Sequence, residues 1–120
     1  MEQRTHKLTS KRLVGKPVKL EEGYAEVELV TIDEMKVDEK GLVHGGFTFG
    51  LADYAAMLAV NEPTVVLGKA EVRFTKPVKV GDKLLAKGYT RHACMDKKGK
   101  VVRPPVFLQN IFQNNQQVSN

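Results

Sequence analysis

A chain of 120 residues has room for one domain that buries about two-thirds of the surface its unfolded form exposes. With 42% hydrophobic and 28% charged residues it has a globular composition, which excludes a wholly disordered or fibrous chain. Nineteen Lys and Arg against 14 Asp and Glu leave a charge of +5, which favours anionic partners. The basic residues are scattered and not interleaved with aromatics, so nucleic acid is not expected and a polyanionic small molecule suits the balance equally well.

Glu2, Arg4, Lys7, Lys11, Arg12 and Lys16 interrupt the first twenty residues too often for a signal peptide, and residues 1–20 read as an N-terminal extension. In 23–30, Ala25, Val27 and Leu29 alternate with Glu26 and Glu28, the period of a half-buried strand, which we take as the first. Residues 31–41 turn polar and end in Asp38-Glu39-Lys40-Gly41, a loop. From 47 to 60 the chain is apolar except for Thr48 and Asp53, with Gly45-Gly46 in front. That pattern predicts a helix buried on nearly all sides, ended by Asn61-Glu62-Pro63. The helix is too short, and Asp53 too central, for a membrane span.

Residues 65–78 carry the clearest strand alternation, Ala70, Val72 and Phe74 against Lys69, Glu71, Arg73 and Thr75. The turn Val80-Gly81-Asp82 then leads into 84–89 as a hairpin partner. Arg103-Pro104-Pro105 interrupts the apolar residues near the C-terminus and leaves at most an edge strand there, and 113–120, rich in Gln and Asn, reads as a frayed tail. One helix followed by consecutive strands predicts a single α+β domain with an antiparallel sheet curled around a central helix. Cys94, the only cysteine, excludes an intrachain disulfide and reads as an inert thiol in a reducing, cytoplasmic setting.

Two features could carry chemistry. Asp53 places a carboxylate in an apolar helix, where it needs either core hydrogen bonds or a use. Gly45 and Gly46 place side-chain-free N–H groups at a helix start, which forms either a tight turn or a carbonyl site. Asp53 lies eight residues beyond Gly45, about 12 Å along a helix rising 1.5 Å per residue. One carbonyl cannot easily meet both in one subunit, so a joint role predicts a dimer with two equivalent sites.

Val43-His44-Gly45-Gly46, Leu51-Ala52-Asp53-Tyr54-Ala55 and Val72-Arg73-Phe74-Thr75-Lys76-Pro77-Val78 with Gly81-Asp82 together resemble hot-dog-fold thioesterases of the PaaI-like, phenylacetyl-CoA thioesterase type, over residues 23–86. The resemblance implies a helix wrapped by an antiparallel sheet, a homodimer often doubled to a tetramer, and hydrolysis of acyl-CoA without metal or other cofactor. It also implies that the Gly45 amide polarises the thioester carbonyl, that Asp53 from the partner subunit acts as general base or nucleophile, and that His44 shapes the site. Gly46, Phe47 and Arg73 are the expected substrate contacts, Arg73 and Lys76 toward coenzyme A phosphates. The chain departs from the pattern where Asp38 stands in place of an Asn six residues before the His, and in its C-terminal thirty residues.

His6, His44 and His92 lack metal-site spacing and read as surface or turn histidines. Neither a phosphate-binding glycine-rich lysine loop nor a serine nucleophile elbow is present. The expected function is acyl-CoA thioester hydrolysis. A non-catalytic acyl-CoA sensor of the same fold is the alternative, although residues 1–20 are too short for a helix-turn-helix. A dehydratase of the same fold fits less well, because His44 and Asp53 lack its Asp-to-His spacing. The acyl group itself is not legible.

Overall fold

A computed structural model describes residues 1–90 in full and the backbone of 94–95, 101–102 and 106–114. The ordered chain opens with α1 (Lys11–Val14), one helical turn capped by the Ser10 hydroxyl, which accepts the Leu13 N–H at 3.2 Å. Gly15 stops it at φ 122°, where a Cβ would lie 2.8 Å from Val27 Cγ1 and 3.0 Å from Leu51 Cδ1, so the chain passes under the core only as glycine. Next come β1 (Lys16–Glu21) and β2 (Tyr24–Val30), then the long helix α2 (Gly45–Val60) and β3 (Lys83–Thr90). A two-residue ladder of β4 (Cys94–Met95) with β5 (Val101–Val102) and the nine-residue β6 (Val106–Asn114) complete the elements.

The main sheet runs β1-β2-β3-β6, antiparallel at every step. Strand alternation sorts its faces: Ala25, Val27 and Leu29 of β2 and Leu84 and Ala86 of β3 are buried against α2, which returns Leu51, Tyr54, Ala55 and Leu58. Gly88 sets the closeness of that packing. A Cβ there would sit 2.5 Å from the Ala55 carbonyl oxygen, so the helix backbone rests directly on β3.

Several expectations change. The strand taken as first is the second, because Lys16–Glu21 inside the supposed extension already pairs with it. Gly45 and Gly46 lie within the first turn of α2 rather than ahead of it. Residues 65–78 belong to no strand, and Val66, Val72 and Phe74 are exposed. The reason is that β3 is not their hairpin partner: it bonds to β2 on one side and β6 on the other, so neither of its edges is open to them. The C-terminal strand does lie at the sheet edge, but it extends to Asn114, so Gln113 and Asn114 are ladder residues rather than tail. Arg103-Pro104-Pro105, His92, the Cys94 side chain and residues 115–120 fall outside the described residues.

Candidate active site at the start and middle of the long helix

The start of α2 is pinned before the helix begins. Val43 N–H donates to Val78 O at 2.8 Å, Val80 N–H to Gly41 O at 2.9 Å, and His44 N–H to Met35 O at 2.9 Å. Val43 and Met35 are buried, so these bonds are shielded from competing water. His44 then stands as the N-cap with extended backbone and no side-chain cap bond, while its carbonyl accepts the Phe47 N–H at 3.0 Å. Its ring is folded over Gly46, where a Cβ would come within 2.8 Å of Nε2, and meets the half-buried Phe47 ring edge-on at 6.1 Å.

Gly45 opens on a cleft of about 290 Å³ walled by Leu42 and Thr48 on one side and Phe74, Lys76 and Pro77 on the other. As first-turn residues, Gly45 and Gly46 have N–H groups without an intrahelical acceptor. The cleft therefore borders the Gly45 amide, a donor suited to a carbonyl or oxyanion, together with a hydroxyl at Thr48 and a cation at Lys76. Arg73 is exposed and does not line it. Thr48, the other polar residue in the apolar run, does line it; its presence in that run was the available signal.

Asp53 sits two turns further along α2 and is not part of the cleft wall. Its Oδ1 is buried and has no hydrogen-bond partner among the described residues. Burial pushes its carboxyl above the ordinary aspartate value, and the nearby His6 partly offsets this. His6 was expected only at the surface or in a turn; it comes from the N-terminal segment, which packs on the far end of α2. Nothing in sequence spacing links position 6 to position 53. Asp38 is exposed, and its Oδ1 accepts the N–H groups of Lys40 (2.9 Å) and Leu42 (3.1 Å). The carboxylate thereby shapes the 38–41 turn that delivers Val43 and His44. The geometry thus gathers His44, Gly45, Gly46 and Phe47 at one end of the helix and leaves Asp53, Asp38 and Arg73 elsewhere in the single chain. Among the described residues no three His, Cys, Asp or Glu side chains cluster to hold a metal, and no helix is long and apolar enough to cross a membrane.

An antiparallel sheet folded on one long helix, with a His-Gly-Gly helix start and a carboxylate in mid-helix, defines a hot-dog α+β domain. Residues 40–93 match the thioesterase superfamily. A solved structure of an uncharacterized protein, PH1136 from Pyrococcus horikoshii, is 64% identical and superposes with a TM-score of 0.76, covering 100% of this chain and 98% of that one. The E. coli PaaI protein from the phenylacetic acid degradation operon is 26% identical, with a TM-score of 0.56 over 72% of this chain and 75% of its own. The chain thus has the hot-dog thioesterase fold, is similar to the thioesterase superfamily over residues 40–93, and is PaaI-like.

Curated relatives are larger proteins. A methylthioribose-1-phosphate isomerase of Aquifex aeolicus is 62% identical over 87 residues, 72% of this chain but 19% of the isomerase. The transcription factor FapR of Thermoanaerobacter sp. is 28% identical over 86 residues, 71% of this chain and 43% of the factor. The chain thus spans less than half the length of either.

Proposed function

We propose that the protein hydrolyses an acyl-CoA thioester to a free acid and coenzyme A, working as a dimer in which each site takes its amide donor from one subunit and its carboxylate from the other. The observation that carries this is the buried Oδ1 of Asp53 in the middle of an apolar helix, which has no hydrogen-bond partner among the described residues, a costly arrangement. The thioester carbonyl accepts the Gly45 N–H. The partner subunit's Asp53 takes a proton from water as the water oxygen attacks the carbonyl carbon, and the collapsing intermediate expels the coenzyme A sulfur, which regains that proton. A direct attack by the carboxylate, followed by hydrolysis of the acyl-enzyme, uses the same groups. Lys76 lines the cleft, which supports giving it the anionic part of the substrate, a role the sequence had divided between Lys76 and Arg73.

The second copy has a ready place to bind. Residues 66–76 are exposed and belong to no strand, and their sequence alternation is that of a strand awaiting a neighbour.

Similarity to transcription factors favours one other reading, a domain that binds an acyl thioester to regulate an attached or associated module. Isomerase activity is not proposed, since the match covers 19% of that enzyme. A panel of acyl-CoA thioesters with a thiol-detecting dye separates the two. Thiol release by at least one thioester, reduced by about 10²- to 10⁴-fold in Asp53→Asn, is the expected result. Tight binding of the same thioesters by calorimetry without thiol release would establish the regulatory reading instead.

A further inference from the structure

Thr48 is half-buried in the second turn of α2 and lines the cleft together with Gly45. Three residues apart on one helix, the two are neighbours on the same face. Helical side chains lean toward the N-terminus, so the Thr48 side chain is carried back over the turn that begins at Gly45, where no side chain stands in its way. A threonine inside a helix commonly turns its hydroxyl to the carbonyl four residues back, here that of His44. That carbonyl accepts the Phe47 N–H at 3.0 Å, and the Thr48 hydroxyl has no hydrogen-bond partner among the described residues. Across the cleft, Phe74 Cε1 lies 3.5 Å from the point a Cβ on Gly45 would occupy. A methyl group at position 45 would touch the ring and fill the space between helix start and wall; glycine leaves that space open to an atom of the substrate.

We infer that Thr48 is a second donor to the substrate carbonyl, whose oxygen lies between the helix start and Phe74 and accepts the Gly45 N–H and the Thr48 O–H together. The hydroxyl keeps its proton throughout. As water adds to the carbonyl carbon, negative charge gathers on that oxygen and both hydrogen bonds strengthen. Val43 and Val78, buried and apolar at the cleft floor, shield the pair from competing water on that side. Two donors on adjacent positions of a rigid helix also fix the direction from which the carbonyl enters, and they hold a carbonyl whether or not the ligand is hydrolysed.

The effect on turnover rests on the thioesterase reading; the effect on carbonyl binding does not. The test uses two probes that cannot be hydrolysed, measured by calorimetry on the full chain: the ketone analogue of acetyl-coenzyme A in which CH2 replaces sulfur, and S-ethyl-coenzyme A, which lacks the carbonyl. The wild-type protein is expected to bind the ketone more tightly. Thr48→Val keeps the branched shape and deletes the hydroxyl; it is expected to weaken ketone binding by about 2- to 10-fold, the usual worth of one hydrogen bond, and to leave S-ethyl-coenzyme A unchanged. Thr48→Ser, which restores the hydroxyl, is expected to recover the ketone affinity. In thiol release, Thr48→Val should lower kcat by about 10²-fold with a smaller change in KM. Equal losses for both probes would mark Thr48 as a packing residue and overturn the proposal. So would unchanged ketone binding by folded Thr48→Val, or a wild-type protein with no preference for the ketone. If no thioester is hydrolysed but the preference disappears in Thr48→Val, the thioesterase reading fails and the carbonyl site stands.

Discussion

Asp53 is the residue whose chemistry and stability pull in opposite directions. Its carboxyl is raised above 3.8 by burial, so the fold favours the protonated form. The stability linked to that preference is complete below the ordinary aspartate range and is lost as pH rises through the raised folded value. Wherever the side chain is ionised it is therefore a cost, and Asp53→Asn should raise Tm at pH 7 while removing most turnover. A rise of the order of 4 °C is what about 1 kcal/mol produces in a domain near this size. Melting curves at pH 7 and pH 3 check the sign: the gain should vanish at the lower pH, and a fall in Tm at pH 7 would mark Asp53 as a structural residue. Asp38 makes the contrasting case. Its Oδ1 is engaged by the Lys40 and Leu42 N–H groups, a task an Asn oxygen performs equally well. Asp38→Asn should leave Tm unchanged, whereas Asp38→Ala should lower it. Faster hydrolysis in Asp38→Asn would indicate that the negative charge weakens the site, and a large loss of rate that the carboxylate takes part in it.

At the scale of elements, two glycines set what α2 touches. Adding a Cβ at Gly88 drives it into backbone, 2.5 Å from Ala55 O and 2.7 Å from its carbonyl carbon, and neither side can yield without moving helix from sheet. Gly88→Ala should destabilise by about 1–3 kcal/mol, the usual range for an overpacked core, measured by denaturant midpoint. At Gly46 the obstacle is the far end of the His44 side chain, which can swing away. Gly46→Ala should therefore leave stability nearly intact while displacing the imidazole from the helix start, so that KM or kcat changes without a matching change in Tm. The two substitutions are chemically identical, and what the new methyl meets decides which property is lost.

For the whole molecule, the separation of Gly45 from Asp53 along α2 means that, on the proposed reading, each site needs a second copy of the chain. Light scattering at micromolar concentration should report a dimer or tetramer. If a second copy pairs through 65–78, replacing both Val72 and Arg73 with proline removes ladder donors pointing to either side of that strand. The double variant is expected to be monomeric and inactive with its own fold retained. A wild-type monomer with full activity would exclude the two-subunit site.

How much of this was legible in sequence follows from the range of the interactions. Local patterning was enough for β2, α2 and its end at Asn61, because period and capping depend on residues within one or two turns of one another. The His-Gly-Gly start and Asp53 were legible too, as polar or side-chain-free positions in an apolar run. Residues 65–78 had every local mark of a strand and belong to none, since pairing depends on which edge is open, and β2 and β6 occupy both edges of β3. Likewise the docking of the N-terminal residues on the C-terminal half of α2 is set by Asn61 and Tyr54 gripping a segment more than fifty residues away. The amino-acid sequence by itself determined the class of fold and the two ends of the candidate site. Only the tertiary structure decided which strand edges are taken and that the N-terminal segment is fastened to the C-terminal half of α2, because both depend on residues far apart in the chain.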